Sequence, residues 1–136
     1  MDDVLLNKAG IVERCLRRVA EEYQGDPERL KVPTHQDAIV LNIERACQAA
    51  IDATMYLVAR DHLGVPQDSA DGFRLLAAAG RIDAELAERL RRMVAFRNVA
   101  VHECQSLDLG ILRRVVESHL VDFVDLCVAL GLRVRP

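Results

Sequence analysis

The 136-residue chain contains no tryptophan, and aromatic residues make up only 4% of it. Strands favour aromatic and β-branched residues, so this scarcity, together with abundant leucine, alanine, valine and arginine, favours helices over a sheet. No apolar run approaches the roughly 18 residues of a membrane-spanning helix. The first residues, MDDVLLNKAG, include acidic residues and no long apolar segment, which argues against a signal peptide. We therefore expect a cytoplasmic protein that does not contact a membrane.

Clustered cysteines are also missing. The four cysteines lie far apart, with no CxxC pair and no Cys/His spacing typical of a zinc site, so we expect no metal and no other cofactor. Three of them fall on apolar helical stripes and are expected to be buried, reduced thiols: Cys15, Cys47 and Cys127. The fourth, Cys104, follows a polar motif.

The sequence also lacks a strong excess of positive or negative charge. The formal net charge is −3, which does not indicate a DNA-binding protein, and we expect no DNA partner. Apolar residues make up 51% and charged residues 29% of the chain, a globular composition. With no linker long enough to divide it, the chain is expected to form one domain over residues 1–136.

Apolar residues recur at three- and four-residue spacings along most of the chain, the period of an amphipathic helix. Four segments are long and one is short: 2–24, 36–63, 83–102, 108–130 and, as the short one, 71–80. Candidate helix caps precede three of these segments, Thr34, Ser69 and Asp83, and the apolar pattern restarts at Asp108. Short connections imply antiparallel neighbours. The predicted fold is therefore all-α, an antiparallel up-down bundle of four long helices plus one short helix.

The stretch FRNVAVH places Arg97, Asn98 and His102 among apolar residues. Residues five apart lie about 140° apart around an unbroken α-helix, so Arg97 and His102 would not share a face. Val99 and Val101 mildly disfavour helix, so the segment could leave helical geometry near His102 and bring the imidazole back toward the guanidinium. Alternatively, His102 could meet the same segment of a second chain across a two-fold axis.

Such a cluster has a definite chemical use. Cleavage of RNA by its own 2′-hydroxyl needs a base at that hydroxyl and an acid at the leaving 5′-oxygen, and histidine can serve as either. A guanidinium stabilises the negative charge of the phosphorane-like transition state. The structural alternative is a histidine at a helix end beside a salt-bridged arginine. The other histidines, His35, His62 and His119, are expected to be surface groups.

Arginines concentrate around this motif. Residues 81–114 contain seven arginines and five acidic residues. This basic segment is what the phosphates of a bound RNA would need. A solvated helix face with ion pairs four residues apart, such as Glu85–Arg89 and Glu88–Arg92, explains part of it equally well.

Four segments, in this order, resemble one family along nearly the whole chain: ERCLRRVAEEY, QDAIVLNIERACQAAID, DGFRLLAAAGRI and MVAFRNVAVHE. They are similar to the HepT-like toxins of the HEPN superfamily. The resemblance implies an HEPN-like helical homodimer that is a metal-independent endoribonuclease toxin, neutralised by a nucleotidyltransferase-type antitoxin. It further implies that Arg97 and His102, the Arg-x4-His motif, are catalytic at the dimer interface, with Asn98 as a supporting polar residue.

The sequence departs from this family at one place. Members often carry a tyrosine two residues after the histidine, to which the antitoxin attaches AMP, and here that position is Cys104. A thiol is a poor substitute for a phenol as a stable AMP acceptor, and Tyr23 and Tyr56 lie in other helices. A second hypothesis is a non-catalytic helical subunit that only binds the nucleotidyltransferase, with Arg97 and His102 shaping an interface.

Overall fold

The computed structural model describes residues 2–102 and 107–136. Within them lie the helices α1 (Asp3–Tyr23), α2 (Pro33–Arg60), α3 (Asp71–Ala78), α4 (Ala84–His102), α5 (Leu109–Arg114) and α6 (Val121–Ala129). A 3-10 turn, Pro27–Lys31, precedes α2, and a π-helical turn, Val115–His119, joins α5 to α6. The described residues contain no strand, and the predicted all-α class is confirmed. None of the described helices is long and apolar enough to cross a membrane.

One of the three predicted helix caps, Asp83, is found, and Asp108 caps the helix that begins where the apolar pattern restarts. The carboxylate of Asp83 accepts the amide of Leu86 at 2.7 Å, and Asp108 accepts the amides of Gly110 and Ile111. These carboxylates satisfy amides that have no partner inside a helix.

The caps predicted at Thr34 and Ser69 are wrong. α2 begins one residue before Thr34, at Pro33, because proline lacks the amide hydrogen that a first helical position leaves unused. Before α3, the side chain of Asp68 accepts the amides of Ala70 and Asp71, so the aspartate takes the place expected for Ser69.

The core lies between an α1–α2 hairpin and the remaining helices. Each long helix contributes fully buried side chains, among them Val12 of α1, Ile39 of α2 and Leu90 of α4. The short helix α3 lies close to α2 because Gly72 has no side chain. A Cβ atom there would lie 2.8 Å from Cγ2 of Thr54, closer than packed carbon atoms allow.

The predicted fourth long helix is interrupted. It consists of α5, the π-helical turn and α6, so the apolar period does not run through it unbroken. At this turn, Glu117 accepts a hydrogen bond from the hydroxyl of Tyr23 on α1. Burial and this carboxylate raise the pKa of Tyr23 to about 12. The turn therefore joins the last helical segment to the first helix.

The buried cysteines are as expected. Cys15, Cys47 and Cys127 are free thiols in the core. Burial raises the pKa of Cys47 and Cys127 to about 11, which keeps both protonated and weakly nucleophilic at neutral pH. Cys104 lies outside the described residues.

Candidate active site

The motif-bearing helix α4 continues through His102. Val99 and Val101 therefore do not take the chain out of helical geometry before His102, and the residues that directly follow this histidine lie outside the described ones. Val99 and Val101 reduce helix stability by only a few tenths of a kcal/mol each, which the rest of the helix offsets. Arg97 and His102 consequently lie on different faces of one helix, about 140° apart.

Arg97 is held by two neutral amides. Its Nη1 donates to Oε1 of Gln48 on α2 at 2.9 Å, and its Nε donates to Oδ1 of Asn98 at 3.0 Å. Arg97 also lies near the buried Cys47. Its positive charge therefore opposes part of the rise that burial causes in the pKa of that thiol. No carboxylate among the described residues forms an ion pair with Arg97, so its positive charge is not neutralised by them.

Asn98 connects the two candidate catalytic residues. It touches Arg97 and lies four residues before His102, a spacing that places it within about 40° of the histidine around the helix. His102 is exposed in the last turn of α4. The side chains of Asn98 and His102 thus share a solvent-facing side of the helix.

This side of α4 borders a groove against α3. The groove has a volume of about 520 Å³, and Arg91, Ala95 and Asn98 line it from α4. These residues lie eleven, seven and four positions before His102, so the groove follows the same helix face toward the histidine. Arg91, the arginine that lines this groove from α4, forms an ion pair, because its Nη2 donates to Oε1 of Glu88 at 2.6 Å.

Most arginines of the basic segment form ion pairs. Five have a carboxylate partner: Arg81 with Asp61, Arg89 with Asp122 and Glu85, Arg91 and Arg92 with Glu88, and Arg113 with Glu117. The interpretation as an ion-paired helix face accounts for these five. Within residues 2–102 and 107–136, no ion pair is found for Arg97 or Arg114.

His35 is more than the surface group expected from the sequence. Its Nδ1 lies 2.6 Å from Oε2 of Glu22, and its side chain is only 27% exposed. This contact joins the end of α1 to the first turn of α2. Helical periodicity does not reveal it, because the two residues belong to different helices.

Asp122 is the second polar residue that sequence reasoning missed. It is 2% exposed, and its Oδ1 accepts from Nε of Arg89 at 3.0 Å. The only sequence signal is an acidic residue beside Phe123 on an otherwise apolar stripe. Among the described residues, no group of three or more His, Cys, Asp or Glu side chains is placed to hold a metal ion.

Comparison with known proteins places this helix arrangement in a family. A family model described as ribonuclease HepT-like matches residues 12–130. The chain belongs to this family. A curated HepT-like relative, the mRNA nuclease HepT of Shewanella oneidensis, is 41% identical over 124 residues, or 90% of this chain and 92% of the relative. A putative RNase of Archaeoglobus fulgidus is 31% identical over 109 residues, or 78% and 82%.

Solved structures of HepT-like proteins agree with the fold. A tri-AMPylated Shewanella oneidensis HEPN toxin, in complex with MNT antitoxin, superimposes with a TM-score of 0.90 at 39% identity, covering 96% of this chain and 98% of that one. A toxin–antitoxin structure with AMP-PNP gives a TM-score of 0.91 at 38% identity, with the same coverage. The HEPN-like bundle, the family and its enzyme class, an endoribonuclease, are thereby confirmed.

Proposed function

We propose that this chain is the RNA-cleaving toxin of a toxin–antitoxin pair and that Arg97 and His102 are its catalytic residues. The observation that carries the proposal is the geometry of α4. The helix runs unbroken through His102, which leaves the imidazole exposed, and the partners of Arg97 among residues 2–102 and 107–136 are the amides of Gln48 and Asn98. A guanidinium without a carboxylate keeps its charge for an anionic substrate.

One copy of α4 does not bring the two groups to one face, and we propose that a homodimer does. Across a two-fold axis the same helix ends meet, so each patch is present twice at one place. Two imidazoles and two guanidinia then surround one phosphate. Asn98 supports the arrangement by holding the guanidinium of Arg97 at Nε.

The reaction follows from these groups. One His102 accepts the proton of the ribose 2′-hydroxyl while the 2′-oxygen attacks phosphorus. The bond from phosphorus to the 5′-oxygen breaks, and the second His102 protonates that oxygen. Arg97 stabilises the added negative charge of the transition state. The products end in a 2′,3′-cyclic phosphate and a 5′-hydroxyl, and the base, acid and cation all come from the protein, so no metal ion is required.

The partner is proposed to be a nucleotidyltransferase-type antitoxin. Support comes from similar HEPN toxins, one of which is tri-AMPylated and in complex with an MNT antitoxin. In this chain Cys104, which lies outside the described residues, holds the position at which the family resemblance implies a modified tyrosine. We propose that this thiol does not retain AMP stably, so control at this position differs from that of tyrosine-bearing members.

Labelled RNA, incubated with the purified protein with and without EDTA, tests the catalytic assignment. The wild-type chain should cleave equally in both conditions, and His102→Ala should lower the rate by about 10²- to 10⁴-fold, the usual contribution of a general acid–base group. His62→Asn is the matched control, because His62 is exposed, lies outside the motif and has a φ of 54° that asparagine tolerates. Its cleavage rate should stay within twofold of wild type.

Three outcomes would contradict this assignment. Activity that disappears with EDTA and returns with Mg²⁺ would exclude the metal-free scheme. Full activity of His102→Ala would remove the histidine from the mechanism. A wild-type chain that binds the antitoxin but cleaves no RNA would favour the non-catalytic binding subunit.

A further inference from the structure

A second pocket lies on another face of α4, where this helix meets α5 and the π-helical turn. Its volume is about 310 Å³, and it combines four cationic or titratable side chains with four apolar ones. The lining residues are Arg89, Arg92, Met93, Phe96, Ile111, Arg114, Val115 and His119. The four from α4 follow the spacing of one helix face.

The lining of this pocket contains arginine and histidine but no carboxylate. Arg92 lies 3.3 Å from Glu88, an exposed pair. Arg114 forms no ion pair with any residue that the structure describes. The neighbouring Arg113 differs, because it pairs with Glu117 at 3.3 Å and does not line the pocket. Arg89 pairs with Glu85 at 2.8 Å, Asp122 at 3.0 Å and Asp125 at 3.8 Å. The positive charge that the described residues leave uncompensated in this pocket is therefore that of Arg114.

A buried carboxylate lies close to Arg89 and His119, two of the residues that line this pocket. Asp122 is 2% exposed, accepts from Nε of Arg89 at 3.0 Å and lies 4.0 Å from Nδ1 of His119. Burial raises the pKa of Asp122, although the Arg89 guanidinium opposes this. Its Oδ2 atom has no hydrogen-bond partner among the described residues. Leaving such an oxygen unpaired costs free energy, whereas the hydrogen bond to Oδ1 fixes Arg89 along one wall of the pocket.

The arginines and the aromatic ring of Phe96 that line this pocket together match one class of ligand. Arginines bind phosphate, and an aromatic ring stacks on a base of any sequence, which are the two components of single-stranded nucleic-acid sites. The pocket also adjoins the motif, since Phe96 directly precedes Arg97 and His102 lies about 9 Å further along the helix axis, at ~1.5 Å per residue.

We propose that this pocket binds a nucleotide of the RNA strand beside the scissile phosphate, with Arg114 and Arg92 contacting phosphate and Phe96 contacting the base. The proposal rests on the function proposed above and adds the path that the RNA strand takes along α4. The strand leaves the catalytic pair along the side of α4 that faces α5, away from the groove against α3. Arg89, held by Asp122, orients the strand.

The test is RNA binding by the full chain and its variants Arg114→Gln and Arg113→Gln. The probe is a single-stranded RNA made uncleavable by 2′-O-methyl groups, and affinity is measured by fluorescence anisotropy at several salt concentrations. Both variants remove one arginine from adjacent exposed positions, so they change the net charge equally. Arg114→Gln should weaken binding about three- to tenfold and lower the slope of log affinity against log salt by about 0.7, the value of one phosphate contact on a single strand. Arg113→Gln should stay within twofold of wild type.

The outcomes separate the two proposals. If wild type cleaves unmodified RNA and both variants bind equally, the pocket is not the subsite but the proposed function stands. If wild type neither binds nor cleaves RNA, both proposals fail. If free AMP binds wild type as tightly as the RNA does and loses affinity in Arg114→Gln, the pocket takes a mononucleotide and its assignment to the RNA strand is overturned.

Discussion

Histidine and arginine side chains occur together in two places. The first set, Arg18, Arg29 and His35, lies at the junction of α1 and α2, and the second set, Arg97 and His102, lies near the end of α4. The two sets differ in the groups that bind them. At the junction, Glu22 accepts from Nη2 of Arg18 at 2.6 Å, and its other oxygen lies 2.6 Å from Nδ1 of His35. Arg29 lies 3.4 Å from the same imidazole nitrogen. These contacts, above all the hydrogen bond with His35, hold the pKa of Glu22 below its usual range.

The set in α4 has amides where the first has a carboxylate. Arg97 donates to Gln48 and Asn98, and His102 is exposed. Residue type alone therefore does not distinguish a structural contact from a candidate site. A carboxylate makes the first set a connection between helices, whereas the described partners of Arg97 are neutral amides that orient it without an opposite charge.

Adding a carboxylate beside Arg97 should have the largest effect on RNA cleavage. Asn98→Asp should pair with Arg97 and repel the phosphate, so we expect RNA cleavage to fall about 10²-fold, comparable with the loss of a group that stabilises transition-state charge. Cleavage assays under single-turnover conditions measure it. Asn98→Ala is the control for loss of the amide and should cost less than about tenfold. Equal activity of the two variants would mean that neutralising Arg97 does not matter.

Removing the carboxylate from the first set should lower stability and leave cleavage unchanged. The pKa of Glu22 lies below its ordinary value of 4.5, so its contribution to stability is present above about pH 4.5 and lost as the pH falls through the lower folded-state value. Thermal unfolding of Glu22→Gln should therefore show a lower midpoint at pH 7, and the difference from wild type should shrink toward pH 3.

Glu21→Gln is the matched control for that change. Glu21 is exposed and lies 3.6 Å from Arg18, a weaker contact than that of Glu22. Its midpoint should stay close to wild type at every pH. A shift as large as that of Glu22→Gln would show that overall charge, and not the His35 contact, determines the effect.

The smallest expected change concerns the residues that follow the two histidines. Cys104→Tyr places a phenol two residues after His102, and Asp37→Tyr places one two residues after His35 at an exposed position. After incubation with antitoxin and ATP, intact-mass measurement should show AMP on Cys104→Tyr but not on Asp37→Tyr, with no change in folding. Equal AMP uptake by the unmodified chain and Cys104→Tyr would place the acceptor elsewhere.

Much of the fold could be predicted from local sequence. The stripe of Leu86, Leu90, Met93 and Val94 marks α4, and all four residues are buried. Asp83 and Asp108 mark helix starts because a cap acts within three residues of itself. At Thr34 the same reasoning failed, since Pro33 offered a start that needs no side-chain cap.

Side-chain contacts between different helices could not be predicted from the sequence. Nothing in the spacing of Glu22 and His35, or of Arg89 and Asp122, relates them, because they meet only after the helices pack. For the same reason, Gln48 could not be predicted as the partner of Arg97, although Arg97 itself stood out as a charge in an apolar stretch. The apolar surroundings thus pointed to the residues of the motif but not to the groups that hold them.

The π-helical turn between α5 and α6 affects how related sequences should be aligned. A π turn contains one residue more than an α turn, so it is equivalent to a single-residue insertion in an ordinary helix. Losing one residue from Val115–His119 would restore α-helical geometry while leaving Leu112 and Phe123 directed at the core. We expect a one-residue gap between homologues to be tolerated here without misfolding. The chains that carry that gap should also lose the contact of Tyr23 with Glu117 and reshape the wall that Val115 and His119 form.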